Sequence, residues 1–217
     1  MISMTPVLYL ISYPFVWWGI FYLVLGLSRL RLRALIQPLL VSTMLLSMVS
    51  VALQLNDLTY LTGIVQPVCA IVCLWLLFKF RLAHSILILF ISYFCIGVLE
   101  YVVNLVLAKF DPHTALLYYQ TDLFITPFLL FASGFLLYQL LHYYRWGFTF
   151  VSPAPSKLLT SSLSARWMLF LLLTAFLSAN LAFSIYFYSH WVVPSIFGHT
   201  AIWGTLLLLS YRRELRE

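Results

Sequence analysis

Charged residues are scarce in this chain: only 8% of its 217 residues are Asp, Glu, Lys or Arg, against roughly a quarter in ordinary soluble domains. With 64% apolar residues and a mean hydropathy of +1.02, there is too little polar surface to clothe a water-soluble globule. Other absences narrow the chemistry. No lysine lies within a long apolar run, which excludes a retinal Schiff base. No His-Glu-x-x-His occurs, which excludes a zincin-type metallopeptidase helix. The three cysteines, Cys69, Cys73 and Cys95, fall inside apolar runs at a spacing that matches no zinc or redox signature. Four residues apart on one helix is also poor disulfide geometry, so they read as packing residues. No basic residue precedes the first apolar stretch and no small-residue cleavage pattern follows it, so it is expected to remain as a span and not to be removed as a signal peptide. Neither a cofactor nor a metal is implied.

What is present is a succession of apolar runs of near-membrane length: Val7 to Leu27, Ala34 to Leu55, Leu61 to Phe78, His84 to Ala108, Asp122 to Tyr143, Trp167 to Tyr188 and Val192 to Ser210. Helices are expected, because a backbone in hydrocarbon must satisfy its hydrogen bonds within the segment, and the alternation of a membrane β-barrel is absent. The fold class expected is therefore an all-α polytopic transmembrane bundle of seven spans, filling 1–210, with 211–217 beginning a cytoplasmic helix or tail.

Basic residues set the orientation, since they collect on cytoplasmic flanks. Arg29, Arg31 and Arg33 follow the first run, Lys79 and Arg81 the third, Arg145, Lys157 and Arg166 the fifth, and Arg212, Arg213 and Arg216 the seventh. Only Lys109 falls on the other side. Eleven against one of the twelve basic residues implies N-terminus out and C-terminus in. The formal charge of +6 then answers to anionic lipid headgroups and not to nucleic acid. Most connections are short. The longest inner one, Tyr144 to Arg166, carries Pro153, Pro155 and several serines and reads as a surface linker. Trp17, Trp18, Tyr143, Tyr144, Trp146, Trp167 and Trp191 read mostly as an interfacial aromatic belt.

His84 and Cys95 invite comparison with membrane-embedded cysteine peptidases. Eleven residues of helix separate them by roughly 16 Å, so they cannot act as base and nucleophile for each other, and no enzyme activity is expected. His84, His142, His190 and His199 sit near span ends, where an interfacial role is favoured over haem ligation.

The fourth run holds the most informative polar group. Tyr93, Gly97, Glu100 and Asn104 recur at spacings of four, three and four, which puts them on one helical face. An acid well inside a span is costly, faces a bundle interior or a wet cavity, and marks a functional site by default. The competing reading is a protonated Glu100 that only holds helices together. Asn180 and Ser184 make a second polar face in the sixth run, where helix-to-helix hydrogen bonding is the commoner role. Asp57, Asp111 and Asp122, with His113, Tyr118 and Tyr119, gather on the outer side. Either they form a solvated surface or, with Glu100, they line an outward-facing pocket for a cationic or amphipathic ligand. The candidate ligand-binding residues are thus Glu100, Asn104, Tyr93, Asn180 and Asp122.

The last run continues into Tyr-Arg-Arg-Glu-Leu-Arg-Glu, Tyr211 to Glu217, which has good helix formers and no breaker. In this pattern of spans followed by a charged helix, the chain resembles the multi-span sensor region of bacterial histidine kinases, particularly the accessory-gene-regulator-like peptide receptors. The resemblance implies a bacterial cytoplasmic membrane, an extracellular small or peptide ligand, output through the C-terminal helix to a cytoplasmic kinase or signalling module, and a homodimer as a natural assembly. No phospho-acceptor region or ATP-binding motif follows, so kinase activity is not implied.

An internal repeat supplies the alternative. Pro14-Phe15 is followed by Gly19 and Tyr22 in the first run, and Pro127-Phe128 by Gly134 and Tyr138 in the fifth. Pro67 precedes Trp75 in the third run much as Pro194 precedes Trp203 in the seventh. Three helices, a linker helix and three helices is similar to the small seven-helix sugar transporters and their proline-glutamine-loop relatives. The motif order departs from theirs, with Gln37-Pro38 and Gln66-Pro67 reversed and no proline in the sixth run.

Overall fold

The computed structural model describes residues 5–58, 61–111, 114–115, 118, 125–148, 201 and 204–205. Among these the protein is wholly helical: α1 (Thr5–Leu27), a 3-10 turn (Leu32–Ala34), α2 (Ile36–Leu55), α3 (Thr62–Leu76), α4 (Leu82–Leu107) and α5 (Ile125–Tyr143). Among the described residues, four segments are long and apolar enough to cross a bilayer: Val7–Leu27, Ile36–Leu55, Leu82–Leu107 and Ile125–Tyr143. They lie within a few residues of the first, second, fourth and fifth expected runs. The third run is shorter than expected. Its 15 helical residues extend about 22 Å by helical rise, against roughly 30 Å of hydrocarbon. The sixth and seventh runs, and the tail 211–217, lie outside the described residues. This is a multi-pass membrane protein of helical architecture.

Two compact units are present, one comprising Met1–Asp57 with Ser92–Gly147 and the other Leu58–Ile91 with Phe148–Glu217. In the first, α1 is the hub. Every residue from Gly19 to Ser28 is buried, as expected for a helix surrounded by others.

Helix α2 packs antiparallel to α1. The Gln54 amide donates to the Tyr13 hydroxyl at 2.8 Å and the Trp17 indole N–H donates to Ser50 Oγ at 3.0 Å. Continuing that register sets Phe21 level with Leu46 and Val24 level with Thr43, all of them buried. The buried stripe of α2 is Leu39, Ser42, Thr43, Leu46, Ser47, Ser50 and Leu53, while Met44 and Met48 are 66% and 64% exposed. Small hydroxyl residues inside and long apolar ones outside is the inverse of a soluble helix. In lipid, tails solvate the outer face, and small side chains let two backbones approach.

Helix α5 packs parallel to α1. Phe15 meets Phe128 with ring centroids 5.9 Å apart and Tyr22 meets Phe135 at 5.4 Å. Between them Gly19 and Gly134 touch backbone to backbone: a Cβ on Gly134 would stand 2.6 Å from the Gly19 carbonyl oxygen. Farther along, a Cβ on Gly26 would stand 3.3 Å from Tyr138 Cα. The two Pro-Phe-Gly-Tyr faces singled out in the sequence therefore pack against each other. Pro127 is tolerated because it lies in the first turn of α5, where its missing N–H has no helical partner to lose.

Helices α1, α4 and α5 end in the same way. Leu30 N–H bonds Leu25 O at 2.9 Å with Arg29 N–H on Gly26 O at 3.1 Å. Phe110 with Leu105, and Trp146 with Leu141, repeat that six-to-one bond at 2.8 and 2.9 Å. The residue in the left-handed position is Arg29, Lys109 or Arg145, at φ 53°, 53° and 55°. Glycine is usual there. A cation offsets part of the strain by sitting against the negative end of the helix dipole.

In the second unit, α3 and the beginning of α4 are joined by a turn in which Phe78 and Phe80 stack at 6.2 Å. Both rings are buried, as are Cys73, Leu74 and His84. No disulfide joins Cys69, Cys73 and Cys95.

Candidate functional site

Helix α4 runs antiparallel to α1, and two residues of its polar face, Tyr93 and Glu100, reach Trp17 and Tyr13 of α1. Tyr93 is half-buried and meets the Trp17 ring edge to face at 6.0 Å and 65°. Two turns on, Glu100 is half-buried and comes within electrostatic reach of Tyr13. It makes no hydrogen bond or ion pair among the described residues. Gly97, between them, is exposed, and no described atom lies within 4 Å of where its Cβ would be. This leaves a notch on the helix beside the carboxyl group.

Asn104 is different in kind. Only 1% exposed, it accepts a hydrogen bond from Thr126 Oγ1 on α5 at 2.9 Å through Oδ1. It therefore ties α4 to α5, the joining role usual for a buried amide in a membrane bundle. Its Nδ2 is buried with no partner among the described residues. Of the four residues expected on one face, two flank the open notch, one forms the notch, and one is an interhelical tie.

Opposite Glu100, Tyr13 stacks on Tyr9 at 6.0 Å and accepts the Gln54 amide proton. One turn along is the Trp17–Ser50 bond, with Ser50 itself donating to Leu46 O at 2.8 Å. Tyr13, Gln54, Trp17 and Ser50 were not among the candidate residues. The available signal was the recurrence of Ser42, Thr43, Ser47, Ser50 and Gln54 at helical spacing on α2. Trp17 corrects the interfacial-belt reading: it is 1% exposed and hydrogen-bonded inside the bundle. Trp18 does the same, stacking on Tyr22 at 6.5 Å and packing against Phe131. Mid-helix position puts both far from an interface. Tyr143, Tyr144 and Trp146, at the end of α5, are exposed as the belt requires.

Asp122 and Asn180 lie outside the described residues, as do Ser184, His113 and Tyr119. Asp57 and Asp111 follow the C-terminal ends of α2 and α4, which both lie beside the N-terminal part of α1. The Asp111 carboxylate is engaged locally, accepting from the Thr114 backbone N–H at 3.1 Å and from the Thr114 hydroxyl. His84 and Cys95 share α4 and so cannot face each other. Among the described residues no three His, Cys, Asp or Glu side chains gather as a metal site. A carboxyl group within electrostatic reach of Tyr13, on the helix face that also carries Tyr93 and the exposed Gly97, can pair with a ligand ammonium group. The carboxylate supplies charge, and aromatic faces attract a cation. No protein-family model matches the chain, and neither the curated proteins nor the solved structures contain a match.

Proposed function

We propose that this chain is the membrane-embedded input domain of a receptor, oriented N-out and C-in. It binds an extracellular small or peptide ligand with a cationic group, and passes the signal through the helix begun by Tyr211 to Glu217 to a cytoplasmic kinase or signalling module. Glu100 carries the reading. A carboxyl group retained only to hold helices together is expected to be saturated by bundle partners. This one stands half-buried beside a notch with no hydrogen bond among the described residues. Tyr93 and Tyr13 are its neighbours in the site, Asn104 sets the position of α4, and Asp122 and Asn180 complete the proposed ligand set. The continuous backbone packing of α1 on α5 also favours a receptor, since it gives a fixed hub against which α4 can shift.

The second reading is a small-solute carrier built as three, one and three helices. It is favoured by the parallel packing of the matching faces of α1 and α5. Parallel repeats related by an axis along the membrane normal are a transporter device. One set of variants separates the readings. Glu100→Gln should abolish ligand response while preserving thermal stability, and unchanged response would return Glu100 to a structural role. One alanine inserted between Ser210 and Tyr211 rotates everything downstream by about 100°. A receptor should change basal output and partly recover with four inserted residues. Solute flux in vesicles that ignores both insertions would establish the carrier instead.

A further inference from the structure

The parallel arrangement of α1 and α5 brings their C-terminal ends to the same end of the first unit, although they are far apart in sequence. The loops leaving them are in contact. Gly147, at φ +135°, lies so close that a Cβ on it would stand 2.6 Å from Leu27 O and 3.1 Å from Arg29 Cγ. The Leu32 N–H donates to the Tyr138 hydroxyl at 3.2 Å, and the Tyr138 ring stacks on His142 at 5.9 Å. Arg29, Arg31 and Arg33 from one loop therefore share a surface with His142 and Arg145 from the other, and all five are exposed. Beside them stand Tyr144 and Trp146, 56% and 65% exposed, with ring centroids 5.4 Å apart. Of the acids described in this unit, Asp57 and Asp111 lie at its opposite end and Glu100 within α4.

We propose that this double-loop surface is a binding site for an anionic phospholipid headgroup. Guanidinium groups match phosphate geometry, and the neighbouring indole and phenol rings suit the headgroup depth of a bilayer. Helix C-termini ordinarily repel anions, but here the carbonyls of Leu25, Gly26, Leu141 and His142 already accept the capping N–H groups. The ligand is a lipid and not a soluble phosphate, because the charge borders the apolar faces of two candidate spans. The site is independent of the Glu100 notch.

The test is native mass spectrometry of the full chain in neutral detergent. Phosphatidylglycerol and phosphatidylcholine of the same acyl composition are supplied in equal amounts. The wild type should retain phosphatidylglycerol preferentially. Arg31→Gln with Arg145→Gln should weaken that retention by about 25-fold, from roughly a factor of five per surface cation. Arg31→Lys with Arg145→Lys should keep most of it, and Lys109→Gln at the other end should change nothing. Equal retention of the two lipids, or a glutamine pair that behaves as wild type, overturns the proposal. Should the glutamine pair fail to fold, salt decides on the wild type. Phosphatidylglycerol retention should fall as ionic strength rises, and constant retention overturns the proposal.

Discussion

Replacing Gly134 by alanine adds one methyl group where α1 and α5 touch. The new Cβ would stand 2.6 Å from the Gly19 carbonyl oxygen and 2.8 Å from Gly19 Cα, whereas ordinary contact begins at 3.4 Å. The shortfall of about 0.8 Å falls on backbone atoms of a buried helix, so no side chain can swing aside. The helices must separate, and the rings of Phe15, Phe128, Tyr22 and Phe135 lose contact on either side. Overpacking of this kind costs about 1–3 kcal/mol. Alanine's better helix propensity, about 1 kcal/mol, offsets part of it. Gly97→Ala is the matched control, because the same propensity gain meets open space. In thermal unfolding of the purified protein, Gly134→Ala should melt several degrees below Gly97→Ala, at roughly 2–4 °C per kcal/mol. A Gly134→Ala protein as stable as Gly97→Ala would refute the backbone contact and with it the parallel packing of α1 on α5.

The Trp17–Ser50 bond should appear as a coupling of about 0.5–1.5 kcal/mol in a double-mutant cycle of Trp17→Phe and Ser50→Ala, measured by unfolding in detergent; additive effects would mean the bond contributes nothing. Gly147→Ala should destabilise by about 1–3 kcal/mol, because a positive φ and a clash with Leu27 O act together, and an unchanged melting temperature would place the two loops apart. For orientation, a cysteine replacing Asp111 in a chain without native cysteines should react with an impermeant thiol reagent in intact cells, and one replacing Ala34 should not. The reverse pattern would invert the topology.

Composition alone sufficed for the membrane class, because so few charges cannot solvate a chain of this length. The ends of α1, α2, α4 and α5 were likewise legible to within a few residues, since hydrophobic length and the basic or acidic residues that follow are local properties. The face shared by Tyr93, Gly97, Glu100 and Asn104 followed from helical periodicity, as did the recurrence of Pro-Phe, Gly and Tyr in the first and fifth runs. Periodicity does not say what a face meets. Tertiary structure made Asn104 a tie to Thr126 and left Glu100 beside an open notch, and it drew Trp17 into the bundle to bond Ser50. It also seated Gly19 on Gly134 and joined two arginine-bearing loops from opposite parts of the sequence. In a bilayer apolar surface is satisfied by lipid as readily as by protein. Hydrophobicity therefore fixes which segments enter the membrane, and close approach of small residues and a few buried hydrogen bonds decide which helices meet.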